Sequence, residues 1–166
     1  MTRPLPESVQ AAARKRFDLT VRPSTRPMTG EEMRAALRDF DGIVPTLGDL
    51  YAAEVFADVP ALRARILANF GVGYNHIDVA AAKAAGLVVS NTPGAVTDAT
   101  ADTAMTLMLM SARRAGEGER LVRSGQWEGW HPTQLLGMHL VARPSALWAW
   151  GALGRLLPAV VCMALE

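Results

Sequence analysis

Cysteine is nearly absent from these 166 residues: Cys162 stands alone. No disulfide can close within the chain, and a reducing compartment such as the cytoplasm fits that usage. Neither charge sign dominates, with 17 basic and 16 acidic residues and a net charge of +1. That balance gives no electrostatic footprint for nucleic acid or for an anionic membrane surface. Three histidines, His76, His131 and His139, are scattered without cysteine or carboxylate neighbours at zinc spacing, so no metal site is expected. The N-terminus, "MTRPLPESVQAAARKRFD", lacks an apolar stretch of signal-peptide length. There is no internal repeat and no low-complexity linker. What the chain does have is apolar content: half its residues are hydrophobic, enough for the core of one ordinary domain.

From Asp18 onward, short β-like runs alternate with helical ones. "DLTV" (18–21) is a strand candidate. "TGEEMRAALRDF" follows, with Thr29 as N-cap and Glu32 three residues on, a capping box. Met33, Leu37 and Phe40 make an apolar stripe at helical spacing. "DGIVPT" (41–46) reads as a buried strand, "AAEVFA" (52–57) as a short helix, and "ARILANF" (64–70) as the next strand. Asp78 can cap "VAAAKAA", which Gly86 closes. "LVVSNT" (87–92) is the clearest strand. "ADTAMTLMLMSARR" is a long apolar helix, with Arg113 and Arg114 at its solvated end. After Gly116 the chain turns polar and reads as an extension or arm. Strands alternating with helices imply a parallel sheet with helices on its faces, so the fold class is α/β, doubly wound.

The stretch "NFGVGYNHIDVAAAKAAGLVVSNTPGAVTDATADTAMTLMLMSARR" (69–114) resembles the substrate-binding domain of the D-isomer-specific 2-hydroxyacid dehydrogenases. Within that family it is most similar to the glyoxylate/hydroxypyruvate reductases. "RSGQWEGWHPTQLLGMHL" (123–140) resembles the entry to their nucleotide-binding domain. The combination carries the likeness: a G-x-G loop after a strand, then an aspartate, then "NTPG" after the next strand, then an apolar helix. The resemblance implies a flavodoxin-like sheet in residues 1–98, an interdomain helix and arm in 99–140, and reduction of a small 2-keto acid with NAD or NADP. It implies a homodimer for the intact protein. It also assigns residues. The Val72 and Gly73 amides would bind the substrate carboxylate, and glycines at 71 and 73 let the backbone approach a ligand closely. Leu47 would line the same cleft. Asp102 and Thr103 would open the helix that faces the cofactor domain, Asp102 standing where the family more often has Glu. The Met105, Leu107, Met108, Leu109 and Met110 cluster reads as core or interface packing. His76 reads as a surface residue.

Other parts of the family pattern are missing. Most of the first strand would precede Met1, as a misassigned start codon would produce. The arginine, glutamate and histidine of hydride transfer, and the G-x-G-x-x-G cofactor fingerprint, would all lie past the final residue. Neither the catalytic residues nor a bound cofactor is therefore expected of this chain alone. The last segment (141–166) is an aberrant apolar tail. Shifted by one base, Trp148 and Ala149 necessarily yield a glycine codon, and so do Trp150 and Gly151. The shifted frame is then [LMV]-G-[LMV]-G, with a third glycine at fingerprint spacing if Leu153 uses a codon ending in G. The expectation is a frameshift near residues 140–142. "SALWAWGALGRLLPAVVCMAL" has nearly the length of a membrane span, but Arg155 and Pro158 argue against one. The alternative function is a non-catalytic interaction protein that associates with full-length homologues through the exposed helix and arm.

Overall fold

The computed structural model describes residues 1–57, 59 and 61–139. The tail from 141 onward, with Cys162 and the shifted-frame glycine positions, lies outside the described residues. The chain divides into two compact units, Met1–Gly94 and Ala95–Glu166.

The first unit is α/β. Its helices are α1 (Glu7–Arg14), α2 (Gly30–Asp39), α3 (Ala53–Ala57) and α4 (Val79–Ala84), and its strands are β1 (Gly42–Ile43), β2 (Ile66–Ala68) and β3 (Val88–Ser90). The strands form a parallel sheet in the order β1-β2-β3. Gly42 pairs with Ile66, and Ile66 in turn with Val88, so the register runs straight across all three. Each crossover carries a helix, as parallel pairing requires.

Local chemistry fixes most of these elements. The capping box at α2 forms: the Thr29 hydroxyl accepts the Glu32 N–H at 3.2 Å, and the Glu32 carboxylate accepts the Thr29 N–H at 2.8 Å. Asp78 caps α4 by accepting the Ala81 N–H. Gly86 follows that helix at φ +85°, a conformation that favours glycine. The buried face of α2 is Met33, Ala36 and Leu37. Phe40 does not belong to this stripe. It sits past the helix end in extended backbone and is 38% exposed, so the turn it would need to share is not there.

Leu37 of α2 and Leu67 of β2 are fully buried at the centre of the core. Ile43, Val55, Phe56, Ala82 and Leu87 close around them. Burying each leucine contributes about 1.5–3 kcal/mol relative to leaving it in water. The Tyr51 and Phe56 rings pack tilted, with centroids 6.1 Å apart.

The segment 18–21 is not a strand. It does run beside the first residues of the chain: the Met1 ammonium donates to the Thr20 carbonyl, and the Arg22 N–H donates to the Met1 carbonyl. On its other side the chain start meets the residue that follows β1, where the Thr2 N–H donates to the Val44 carbonyl at 3.1 Å. Met1 and Thr2 thus lie between residues 20–22 and β1. A cavity of about 960 Å³ opens here, lined by Phe17, Leu19, Met28, Phe40, Ile43 and Val44 among others.

The second unit holds α5 (Thr97–Ala112) and α6 (Ala115–Arg123). Arg114 joins them in the left-handed region at φ +53°, its guanidinium paired with Glu117 at 2.6 Å. The stretch after Gly116, read from sequence as a polar arm, therefore begins as a helix. The arm then returns to α5, where the Met138 N–H donates to the Ala112 carbonyl at 2.8 Å. Gly137 permits that approach, since a Cβ there would lie 2.3 Å from the same carbonyl oxygen. Met105 is buried on α5, but Leu107, Leu109 and Met110 are exposed, so core packing does not describe that whole cluster.

Candidate functional site

Three loops follow the carboxyl ends of β1, β2 and β3, the place where open parallel sheets collect ligands. Two isolated parallel bridges, Thr46 with Phe70 and Tyr51 with Ile77, tie the first loop to the second. The Tyr51 N–H donates to the His76 carbonyl, and the Asp78 N–H donates to the Tyr51 carbonyl, both at 2.8 Å.

The first loop carries Leu47 at the tip of a turn, 62% exposed. Asp49 closes the turn. Its N–H donates to the Thr46 carbonyl, and its fully buried carboxylate accepts the Thr2 hydroxyl and the Thr46 and Met28 N–H groups. Arg3 adds an ion pair at 3.2 Å. Burial pushes the Asp49 carboxyl up, but these hydrogen bonds and the Arg3 charge outweigh it and hold the group below the usual carboxylate range.

The second loop is Gly71-Val72-Gly73. All three of its carbonyls already accept hydrogen bonds. The Asn69 side-chain amide donates to the Gly71 carbonyl at 3.1 Å and to the Gly73 carbonyl at 2.9 Å. The Asn91 amide donates to the Val72 carbonyl at 2.8 Å, and the Thr92 N–H adds a second bond to Gly71. All peptide bonds described are trans, so each N–H points opposite to the carbonyl of its own plane. The Val72 N–H therefore points away from Asn69, and the Gly73 N–H away from Asn91. Neither N–H has an acceptor among the described residues. Adjacent unpaired amides of this kind suit a carboxylate.

Leu47, Val72 and Gly73 come together in the first unit. A Cβ placed at Gly71 would lie 3.4 Å from Leu47 Cδ2, and one at Gly73 would lie 4.0 Å away, so the leucine side chain covers the glycine loop. Asp102 and Thr103 belong to the other unit. They stand in the second turn of α5 rather than at its start, because the helix begins at Thr97. Both are exposed, and the Thr103 hydroxyl donates back to the Ala99 carbonyl at 2.8 Å.

Asn69 and Asn91, which pattern reading passed over, hold the carbonyls of the glycine loop. Their signal was their place: each follows a strand directly, and the register Ala68 with Ser90 sets the two side by side. His76 is not a bare surface residue. Its Nε2 lies 3.1 Å from Asn69 Oδ1. Both N–H groups of the Asn69 amide are already committed, so Oδ1 accepts and Nε2 carries the proton. Burial lowers the His76 pKa and so favours the neutral ring, partly opposed by the Asp49 charge.

The described residues do not fit a dinucleotide. Gly71 and Gly73 run on to Tyr74 and then to Asp78, whose carboxylate caps α4 where a phosphate would need to sit. No metal-ligating cluster forms among the described residues, and none of their helices is long and apolar enough to cross a membrane.

Two adjacent unpaired amides thus stand beyond the carboxyl ends of a parallel α/β sheet. The chain belongs to the D-isomer specific 2-hydroxyacid dehydrogenases: residues 1–157 match the catalytic domain of that family. It is 37% identical over 157 residues to a glycerate dehydrogenase of Hyphomicrobium methylovorum, covering 95% of this chain and 48% of the relative. It is 38% identical over 159 residues to a glyoxylate reductase of Thermococcus kodakarensis, covering 93% and 47%. Among solved structures it is similar to a protein from Polaromonas sp. JS6 66 assigned as a D-isomer specific, NAD-binding 2-hydroxyacid dehydrogenase. There the TM-score is 0.75 at 38% identity, over 85% of this chain and 44% of that one. The chain spans about half the length of the curated relatives it matches.

Proposed function

We propose that this chain is the substrate-binding half of an NAD(P)-dependent reductase that converts a small 2-keto acid, such as glyoxylate or hydroxypyruvate, to the D-2-hydroxy acid. The observation that carries this reading is the pair of unpaired amides at Val72 and Gly73, in a loop whose every carbonyl is already taken by a hydrogen bond. The amides bind the substrate carboxylate, and Leu47 forms an apolar wall beside it. Asp102 and Thr103 are assigned to the side of the cofactor domain. The chain is assigned to substrate binding in 1–98 and to a connecting helix and arm in 99–140; the tail 141–166 is assigned to a shifted frame, although the family match itself runs to residue 157. The reaction belongs to the cytoplasm.

What this chain's own residues do is bind and orient. The nest fixes one end of the substrate, which is the entropic part of the task. The test has two arms. Glyoxylate added to the 15N-labelled protein moves the Val72 and Gly73 amide resonances, and the chain alone oxidises no NADPH with glyoxylate above background. Unmoved resonances at these two residues refute the binding role. Turnover by the chain alone refutes its reading as a half-enzyme. The DNA across codons 135–166 tests the tail: a one-base shift that restores the glycine fingerprint supports it, and an unbroken frame in an independent clone rejects a sequencing error.

A second reading rests on the second unit. Leu107, Leu109, Met110, Trp127, Trp130 and Leu136 are exposed, with Trp130 at 81%. Such a surface suits association with a full-length homologue or a second copy. A strictly monomeric species in sedimentation at high concentration opposes it.

A further inference from the structure

We propose that Asn69 and Asn91 are positioning residues that build the carboxylate nest by capturing its carbonyls. This rests on the carboxylate role of Val72 and Gly73, and it explains how a loop with two glycines holds one conformation. A Gly-Val-Gly segment has wide backbone freedom, so unbraced amides would spend little time aimed at a ligand.

The brace is chemically directional. Asn69 is 2% exposed, and its amide donates to two carbonyls of the loop, two residues apart. Rotating the amide by half a turn would put Oδ1 against both carbonyl oxygens. The His76 Nε2–H on Oδ1 locks the correct orientation. Asn91 acts on the intervening residue, with its amide on the Val72 carbonyl. The two side chains thus hold three successive carbonyls of the loop, and the Val72 and Gly73 N–H groups are what remains free. The two asparagines are neighbours because β2 and β3 pair in parallel and in register up to the residue before each of them. A ligand that meets the nest meets no side chain of this brace. Asn69 and Asn91 act through the backbone and are not catalytic residues.

The test uses pyruvate as the probe, followed by the amide resonances of Val72 and Gly73 in the full chain. Asn91→Ala and Asn91→Leu are the primary variants, because Asn91 is half-buried and its loss leaves the core intact. Asn91→Leu keeps the approximate shape and the neutrality but removes the donor. If the residue only filled space, Leu would preserve binding. The brace predicts that both variants weaken pyruvate by roughly two- to tenfold, the range for one lost hydrogen bond, with an unchanged melting temperature. Asn69→Ala is expected to weaken it more, and its melting temperature reports whether the fold survives.

Pyruvate affinity equal to that of the parent in Asn91→Leu overturns the proposal. If the parent itself gives no pyruvate response, the carboxylate reading fails instead. The brace is then judged on the ligand-free protein by 15N relaxation. Increased fast motion at 71–73 in Asn91→Ala, with 66–68 and 88–90 unchanged, supports it. Unchanged motion at 71–73 overturns it.

Discussion

The Thr2 hydroxyl donates to the buried Asp49 carboxylate at 2.6 Å, joining the start of the chain to the turn that presents Leu47. Asp49 is ionised in the folded protein at a pKa held below the ordinary carboxylate value. In the unfolded chain the group returns to about 3.8. Between those two values the unfolded chain binds more protons, so stability rises with pH. The contribution is fully present above about pH 4 and is lost as pH falls through the folded pKa. Asp49→Asn removes it. The substituted amide also turns one acceptor into a donor that faces the Met28 or Thr46 N–H, at a cost of about 1–3 kcal/mol. Urea unfolding at pH 7 and at pH 3 checks both parts. The variant is less stable at pH 7, and its loss on acidification is shallower than the parent's. Parallel pH curves for the two proteins would refute the assignment.

Tyr51 is fully buried beside Asp49, and its hydroxyl makes no hydrogen bond to a described residue. Burial, with the Asp49 charge, pushes the phenol well above its usual pKa, so the hydroxyl stays protonated and polar. An unsatisfied buried hydroxyl costs about 1–3 kcal/mol. Tyr51→Phe keeps the ring and its packing on Phe56, so it is expected to stabilise the first unit by about 1 kcal/mol. That is a rise of about 4–8 °C in melting temperature for a domain of this size. A fall in melting temperature would mean that the hydroxyl makes a bond that Phe cannot.

Leu47 presents its side chain to solvent and to the glycine loop, and not to the core. Leu47→Ala should therefore leave stability within about 0.5 kcal/mol of the parent. Its effect falls on the site: loss of the apolar wall is expected to weaken small 2-keto acids by about 1 kcal/mol, or roughly fivefold. Thermal unfolding and an amide-shift titration with pyruvate separate the two quantities. A destabilised variant with intact affinity would reverse the roles given to Leu47 and to the core.

Local signals in the sequence were reliable where one residue acts on its near neighbours. The Thr29–Glu32 box, the Asp78 cap and Gly86 all act within a few positions, and each is found as read. The parallel sheet was legible because the runs around Ile43, Leu67 and Val89 alternate with helices. What was not legible depends on partners far along the chain. Helix α1 has no side-chain cap, only Pro6 ahead of it, so no start signal marked it. "DLTV" has strand composition, but backbone pairing decides a strand, and its neighbour is the two-residue start of the chain. The roles of Asn69 and Asn91 follow from strand register, which no local pattern displays. The contact of the His76 imidazole with Asn69 is of the same kind: only the fold sets the two side by side.

The cavity beside Met1 yields the last prediction. The Met1 nitrogen donates to the Thr20 carbonyl, and the Thr2 N–H to the Val44 carbonyl, so the chain start already pairs on both sides as a parallel strand does. Alternation along β1 turns Gly42 toward the same side as Val44. Burial lowers the pKa of the Met1 ammonium, so its charge is poorly solvated there. Four extended residues such as Lys-Val-Leu-Val fused ahead of Met1 would replace that charge with an amide. They would add pairing along Thr20 and Gly42, and they would cover Phe17, Leu19 and Phe40. Net gains of about 0.5–1.5 kcal/mol per hydrogen bond, less the ordering cost of about 1–2 kcal/mol per residue, leave apolar burial to decide the sign. Burying two of the added side chains contributes about 3–6 kcal/mol, so the fusion should raise the melting temperature. A Lys-Pro-Gly-Pro fusion of equal length, which can neither pair nor bury, should not. Slowed amide exchange at Gly42 and Thr20 in the first fusion alone would place the added strand in the cavity, and equal melting temperatures for the two fusions would rule it out.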